Sequence, residues 1–280
     1  MAESVYPDDS SAEPFTGRRR RLLLAAGAIT LTAGLAPRLL SARPQQYPPA
    51  DHREPGHGVP GNGVPGRPGV PGLQHHHSPS YPSYPMDRPL YYIRDSSRSI
   101  ALTIDDGPDP VYTPQVLKVL RQYNVTATFS MIGVHVAAYP QLARAVTEAG
   151  HQIANHTWTH ANLASRPTHR VASELVRGSQ AIHTATGVAP GLFRAPYGAW
   201  SPAVIRQCEQ MRMVPLDWSV DPRDWARPGA RSIIRTILSN TRPGSIILEH
   251  DGGGDRSQTV AALRVFLPRL QHEGYHFVTP

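Results

Sequence analysis

Cysteine is almost absent from this chain of 280 residues: Cys208 is the only one. No disulfide can form within the chain, so a fold stapled by cross-links is excluded and stability must come from size. The length suffices for one large α/β domain or two modest ones. Lysine is equally scarce, with Lys118 alone, so the formal net charge of +7 rests on arginine. The arginines are spread along the chain, and only Arg18 to Arg21 form a tight cluster. A diffuse basic surface suits polyanionic surroundings such as cell-wall polymers or membrane faces, and with no zinc-finger or RNA-binding signature it does not indicate nucleic acid. Long hydrophobic runs are missing too: Leu22 to Ala36 spans about 15 residues, against the roughly 20 that a bilayer-crossing helix needs.

What is present begins with the order of Arg18-Arg19-Arg20-Arg21, the apolar stretch and then small or polar residues. That order is the pattern of an export signal, and Arg19-Arg20-Arg21-Leu22-Leu23 resembles a twin-arginine signal. Leu40-Ser41-Ala42 is a poor cleavage site, which leaves a cleaved signal and an uncleaved anchor as alternatives over residues 1–42. Both place the remainder outside the cytoplasm, extracellular or cell-wall associated, with membrane contact only through this N-terminal segment. Residues 43–96 turn to Pro, Gly, His, Ser and Tyr with no sustained period of 2 or 3.6, and are expected to be a disordered linker.

From Ser99 onward short apolar runs alternate with helix start and stop signals, so residues 97–280 read as one α/β domain. Strands are expected at Ser99 to Ile104, Ala127 to Ile132, Gln152 to Asn155, Leu192 to Arg194, Val214 to Trp218, Ser245 to Leu248 and Tyr275 to Val278. Thr113-Pro114 and Ser201-Pro202 read as N-caps with proline at the first helical position, while Gly150 and Gly187 read as helix stops. Alternation of this kind implies a parallel sheet with crossover helices. The chemistry-bearing residues all follow strands: Asp105-Asp106, His156 and His160, Arg194, Asp221 and Asp224, and His250. Convergence at the C-terminal ends of many strands is what a barrel mouth provides, and no glycine-rich phosphate loop follows strand one. The expected fold is therefore a deformed (β/α) barrel with about seven parallel strands.

Thr103-Ile104-Asp105-Asp106-Gly107 ends an apolar run with two adjacent carboxylates. Adjacent carboxylates repel and usually mark a solvated turn, so at a strand end each needs a partner. Strict alternation would point them to opposite faces, and Gly107-Pro108 is the breaker that lets the second one turn to the mouth. His156-Thr157-Trp158-Thr159-His160 spaces two imidazoles four apart, which one helical turn would place on one face. Two histidines with one aspartate, Asp105 or Asp106, make an open three-ligand site for a divalent cation. His250 fits a general acid, with Leu248 on the same strand face walling an apolar pocket beside it. Asp224 is placed to hold His250 protonated, and Arg194 to pair with the basic aspartate. Each pair taken singly reads equally well as a structural ion pair. Glu249 points away from this face, an awkward place for a charge.

These five segments, with Arg194-Ala195-Pro196-Tyr197, Asp221-Pro222-Arg223-Asp224-Trp225 and Leu248-Glu249-His250 in the same order, resemble the motifs of the polysaccharide deacetylases, carbohydrate esterase family 4. The resemblance covers about Ser99 to Pro280. It implies removal of acetyl groups from an acetylated glycan polymer or oligomer, N-acetylated or sometimes O-acetylated, with one divalent metal ion, zinc foremost and cobalt or a similar ion as the alternative. It makes Asp105 the base, Asp106, His156 and His160 the metal ligands and His250 the acid, with Arg194 supporting Asp105 and Asp224 supporting His250. The Tyr197 amide would bind the oxyanion, and Trp225 and Leu248 would line the acetyl pocket. Two departures, Ile104 where the family often has phenylalanine and Glu249 at a variable position, remove no catalytic atom. Export and basic charge favour peptidoglycan, with chitin oligomers next, and a monomer is expected. The competing readings are a xylan-type O-acetyl esterase, a non-catalytic cell-surface glycan-binding protein, and a metal-dependent hydrolase of another family.

Overall fold

The structure, a computed structural model, describes residues 87–94 and 97–280. The expected export segment and most of the expected linker lie outside the described residues. The domain starts on β1 (Ser99–Asp105), which is buried along its whole length. Its alternation divides the interior into two layers. Ile100, Leu102 and Ile104 face outward into a core with Val116 and Leu120 of α1 (Thr113–Gln122) and Phe266 and Leu267 of α7 (Ser257–His272). Fully burying each such side chain is worth about 1.5–3 kcal/mol. Ala101 faces inward, where small and branched residues such as Ala154, Leu192, Val214 and Ile246 fill the curled sheet.

The remaining elements follow as β2 (Thr128–Met131), α2 (Gly133–Ala138), α3 (Pro140–Glu148), β3 (Gln152–Asn155), α4 (Thr168–Thr186), β4 (Leu192–Phe193), α5 (Pro202–Gln210), β5 (Val214–Pro215), α6 (Ala230–Asn240), β6 (Ile246–His250) and, after α7, β7 (His276–Phe277). The strands pair in the order β5-β4-β3-β2-β1-β6, with β7 also on β1, and every pairing is parallel. This is the seven-stranded, barrel-like α/β architecture expected. The registers Thr103↔Thr128, Asp105↔His250 and Met131↔Asn155 bring the C-terminal ends of four neighbouring strands to one rim.

Two sequence expectations are corrected. The linker was expected to run to residue 96, but residues 90–93 belong to the fold. Leu90 bridges Leu216, Tyr92 bridges Ser245, and Ile93 is buried. With the bridge Val220↔Ile247, this segment fills the seam between the outer strands β5 and β6. Thr113, read as an N-cap, makes no capping bond. It is the first residue of α1, and its hydroxyl donates instead to Asp251 Oδ2 at 2.5 Å. Ser201 does cap α5, accepting from the Val204 amide at 3.4 Å, and Gly187 (φ 75) does end α4.

Candidate active site

Asp105 is the last residue of β1 and is 2% exposed. Its Oδ1 accepts from Arg194 Nη1 at 2.8 Å. Arg194 follows β4, is fully buried, and also donates to Thr103 Oγ1 (2.7 Å) and the Asp217 carbonyl (2.9 Å). A buried guanidinium needs this many acceptors to offset its desolvation. Asp105 Oδ2 is left facing the imidazole of His156, 3.8 Å from Nε2.

Asp106 leaves the strand in the left-handed region at φ 74, a conformation that aspartate tolerates better than most residues. That turn cancels the alternation that would have sent it to the opposite face. Its Oδ1 lies 3.5 Å from His156 Nε2 and 3.2 Å from His160 Nε2. His135 Nδ1 holds the Asp106 carbonyl at 2.9 Å.

The two histidines were expected on one helical turn; they sit instead on a loop after β3, a second correction of local structure that leaves their convergence intact. Thr157 (φ 68) and His160 (φ 60) are both left-handed, a strain of order 1–3 kcal/mol each for such residues. The loop is pinned from below. Asn155 Oδ1 accepts from the Thr157 amide (2.8 Å), and Glu174 Oε2 accepts from the amides of Trp158 and Thr159 (3.0 and 2.8 Å). His156 Nδ1 lies 2.8 Å from the Arg194 carbonyl. A carbonyl only accepts, so Nδ1 carries the proton and the Nε2 lone pair is turned to Asp106.

These atoms pass a test of fit for a divalent ion. One ligand atom each from Asp106, His156 and His160 lies within 4.8 Å of the others. Asp106 Oδ1 is buried and accepts no well-formed hydrogen bond among the described residues. A buried carboxylate oxygen with the His156 lone pair turned toward it and His160 Nε2 3.2 Å away is a costly arrangement for protein alone and a suitable one for a cation.

His250 ends β6 and is 8% exposed. Both its ring Nδ1 (2.6 Å, to Oδ1) and its amide (2.9 Å, to Oδ2) are held by Asp224, whose Oδ2 also accepts from Thr259 Oγ1 at 2.6 Å. Burial works against the imidazolium, but the Asp224 carboxylate prevails and pushes His250 up to about 9. Asp224 is correspondingly held low, its own burial outweighed by His250 and Thr259.

Asp105, Asp106, His156, His160, Tyr197, Trp225, Leu248 and His250 line one cavity of about 360 Å³. Arg194 and Asp224 stand behind it, so every expected site residue is brought together. Tyr197 is held at φ 63, and its ring meets that of His160 with centroids 4.8 Å apart. Trp218 also lines the cavity, and sequence reasoning had left it inside strand five. Asp217 was missed as well. It accepts from Trp200 Nε1 at 2.7 Å, and burial lifts its carboxyl above the usual range despite that bond and Arg194. It follows β5 only because that strand ends at Pro215; the expected strand, running to Trp218, hid it.

The polysaccharide deacetylase family model matches residues 93–216. A peptidoglycan-N-acetylglucosamine deacetylase of Bacillus cereus is 43% identical over 189 residues, covering 67% of this chain and 88% of the relative. A chitooligosaccharide deacetylase of Bradyrhizobium sp. (strain ANU 289) is 43% identical over 205 residues, covering 67% and 94%. Among solved structures, a peptidoglycan N-acetylglucosamine deacetylase in complex with 4-naphthalen-1-yl-N-oxidanyl-benzamide superposes with a TM-score of 0.66 at 33% identity, covering 68% of this chain and 89% of that one. The ordered motifs, the site they assemble and relatives matched over most of their length agree: this chain belongs to the polysaccharide deacetylase family.

Proposed function

We propose that the protein is a metal-dependent hydrolase that removes acetyl groups from the N-acetylated sugars of cell-wall or chitin-like glycans, with peptidoglycan as the leading substrate. The observation that carries this reading is one cavity lined by Asp105, whose Oδ2 is uncommitted, by a His250 held protonated, and by a three-atom cation site. Amide hydrolysis needs a base, an acid and an electrophile converging on one carbonyl.

Asp106, His156 and His160 would hold the ion, and we assign zinc to two imidazoles and one carboxylate with open positions. Bound there, the ion supplies Lewis acidity toward the acetyl carbonyl and toward water. Asp105 Oδ1 is committed to Arg194, so Oδ2 takes the proton of the attacking water. The Tyr197 amide donates to the oxyanion that develops on the acetyl oxygen. His250 Nδ1–H stays with Asp224, and the Nε2 proton passes to the sugar nitrogen as the C–N bond breaks, releasing acetate and a free amine. Leu248 and Trp225, joined by Trp218, wall the acetyl methyl group. We further place the enzyme outside the cytoplasm, supported by the Arg18 to Arg21 cluster and the apolar stretch after it.

Acetate release measured side by side on peptidoglycan, chitin oligomers and acetylxylan, before and after chelation, tests this. Release should be greatest from peptidoglycan and stop on chelation; faster release from acetylxylan than from either N-acetylated glycan would replace it with an esterase reading. Asp105→Asn should lower kcat about 10²–10⁴-fold with metal still bound, and normal turnover would remove the base assignment.

A further inference from the structure

Beside the histidine loop lies a groove of about 430 Å³ whose wall includes Thr159, Arg166, Arg170, Ser173, Glu174 and Arg177. Thr159 immediately precedes His160, so the groove opens next to the cation site. Its charge is strongly one-sided. Arg166, Arg170 and Arg177 are exposed, and none forms an ion pair among the described residues. The only carboxylate in the wall, Glu174, is engaged: Oε2 accepts the amides of Trp158 and Thr159, and Oε1 accepts Thr159 Oγ1 at 2.9 Å. A second hollow of about 480 Å³ continues from Arg177 to Arg144 with no carboxylate in its wall. Arg177 stands 4.4 Å over the Trp158 ring, which fixes one guanidinium where the two hollows meet.

Stability does not account for this placement. Arg166 precedes α4, and His169 and Arg170 lie in its first turn, which has no acidic residue. The positive end of the helix dipole disfavours cations there. Cations gathered against the dipole, without carboxylate partners, are placed to meet an anion brought from outside.

We infer that this groove binds the carboxylates of the peptide arms that a peptidoglycan strand carries, while the acetylated sugar occupies the adjoining cavity. The inference rests on the deacetylase reading above and narrows its substrate from glycans in general to carboxylate-bearing ones. A peptide arm is tethered to the sugar strand, so binding of the sugar presents its carboxylates at high local concentration beside Thr159. Contacts with exposed arginines, weak singly, then add to affinity. A neutral chitin oligomer leaves the groove empty.

The test uses the full chain and three substrates of matched sugar count: peptide-bearing glycan fragments, the same fragments with their carboxylates converted to amides, and chitin oligomers. Acetate release should show KM about tenfold lower for the first than for the second, an advantage that shrinks with added salt. The Arg166→Gln/Arg170→Gln double variant should erase that advantage, while its turnover of chitin oligomers stays within about twofold and reports an intact fold. Arg166→Lys/Arg170→Lys should restore most of it. Equal KM for charged and amidated fragments overturns the inference, as does an advantage that survives in the double Gln variant or a loss shared equally by all three substrates. Inhibition by polyphosphate that exceeds inhibition by free peptide arms of equal charge would reassign the groove to phosphate. Absence of acetate from every substrate would instead overturn the deacetylase reading on which this one stands.

Discussion

The Asp224–His250 pair sets the working pH range of the site. His250 is raised to about 9, above the roughly 6.5 of a free imidazole. The stabilisation that the charged pair gives is therefore full below about 6.5 and lost as pH rises through about 9. Turnover should fall on its alkaline side near pH 9. In Asp224→Asn that limb should move downward toward the free-imidazole value; an unmoved limb would mean that some other group titrates there. Glu249 shows the opposite case. It faces outward beside Ile104 in register, is fully buried, and neither oxygen has a hydrogen-bond partner among the described residues. Burial first, and then the Asp224 carboxylate, raise its carboxyl well above the usual value. The folded state thus holds a proton that the unfolded state releases above about pH 4.3, so stability falls as pH rises from there. Glu249→Gln removes that loss. Its melting temperature should exceed that of the unaltered protein at pH 7 to 8 and approach it near pH 4, and a pH-independent difference would show Glu249 ionised in the fold.

At the scale of elements, the end of β1 is held by the loop after β6. A Cβ on Gly252 would run into the Asp106 carbonyl, which is backbone and cannot move aside, and one on Gly253 would approach Asp106 Oδ2 to 2.9 Å. Gly252→Ala should cost about 1–3 kcal/mol and weaken metal binding together, seen by thermal denaturation and metal titration; full metal affinity in a destabilised variant would separate the loop from the site. The ending of β1 after Asp105 was legible because Gly107-Pro108 breaks a ladder whatever surrounds it. The loop holding His156 and His160 was not, because spacing of four fits a helical turn as well as a strained loop. What decides between them is the distant Glu174, a tertiary partner, acting with the local bond from the Thr157 amide to Asn155 Oδ1. Thr113 was misread for the same reason, since its hydroxyl binds Asp251, 138 residues away.

At the scale of the molecule, the parallel barrel was legible from strand and helix alternation, because each βα unit carries its own periodic signal. Closure of the barrel was not. Leu90 and Ile93 sit among Pro, Tyr and Arg with no alternation to mark them, and only the seam between β5 and β6 gives them a place to pack. The Leu90 amide donates to the Pro215 carbonyl and the Ile93 amide to the Gly244 carbonyl, both at 2.9 Å, so the segment ties the two outer strands. Ile93 is 6% exposed and packs with the inner layer of Ala101, Leu216 and Ile246. Truncating it leaves a cavity inside the barrel rather than a surface notch, and Ile93→Ala should cost about 2–5 kcal/mol. Asp105 and His250, the base and the acid, end β1 and β6, which pair directly, so this loss should appear in denaturation midpoints while kcat at moderate temperature changes little. A variant that keeps its midpoint would show that the seam is closed without residues 90–93.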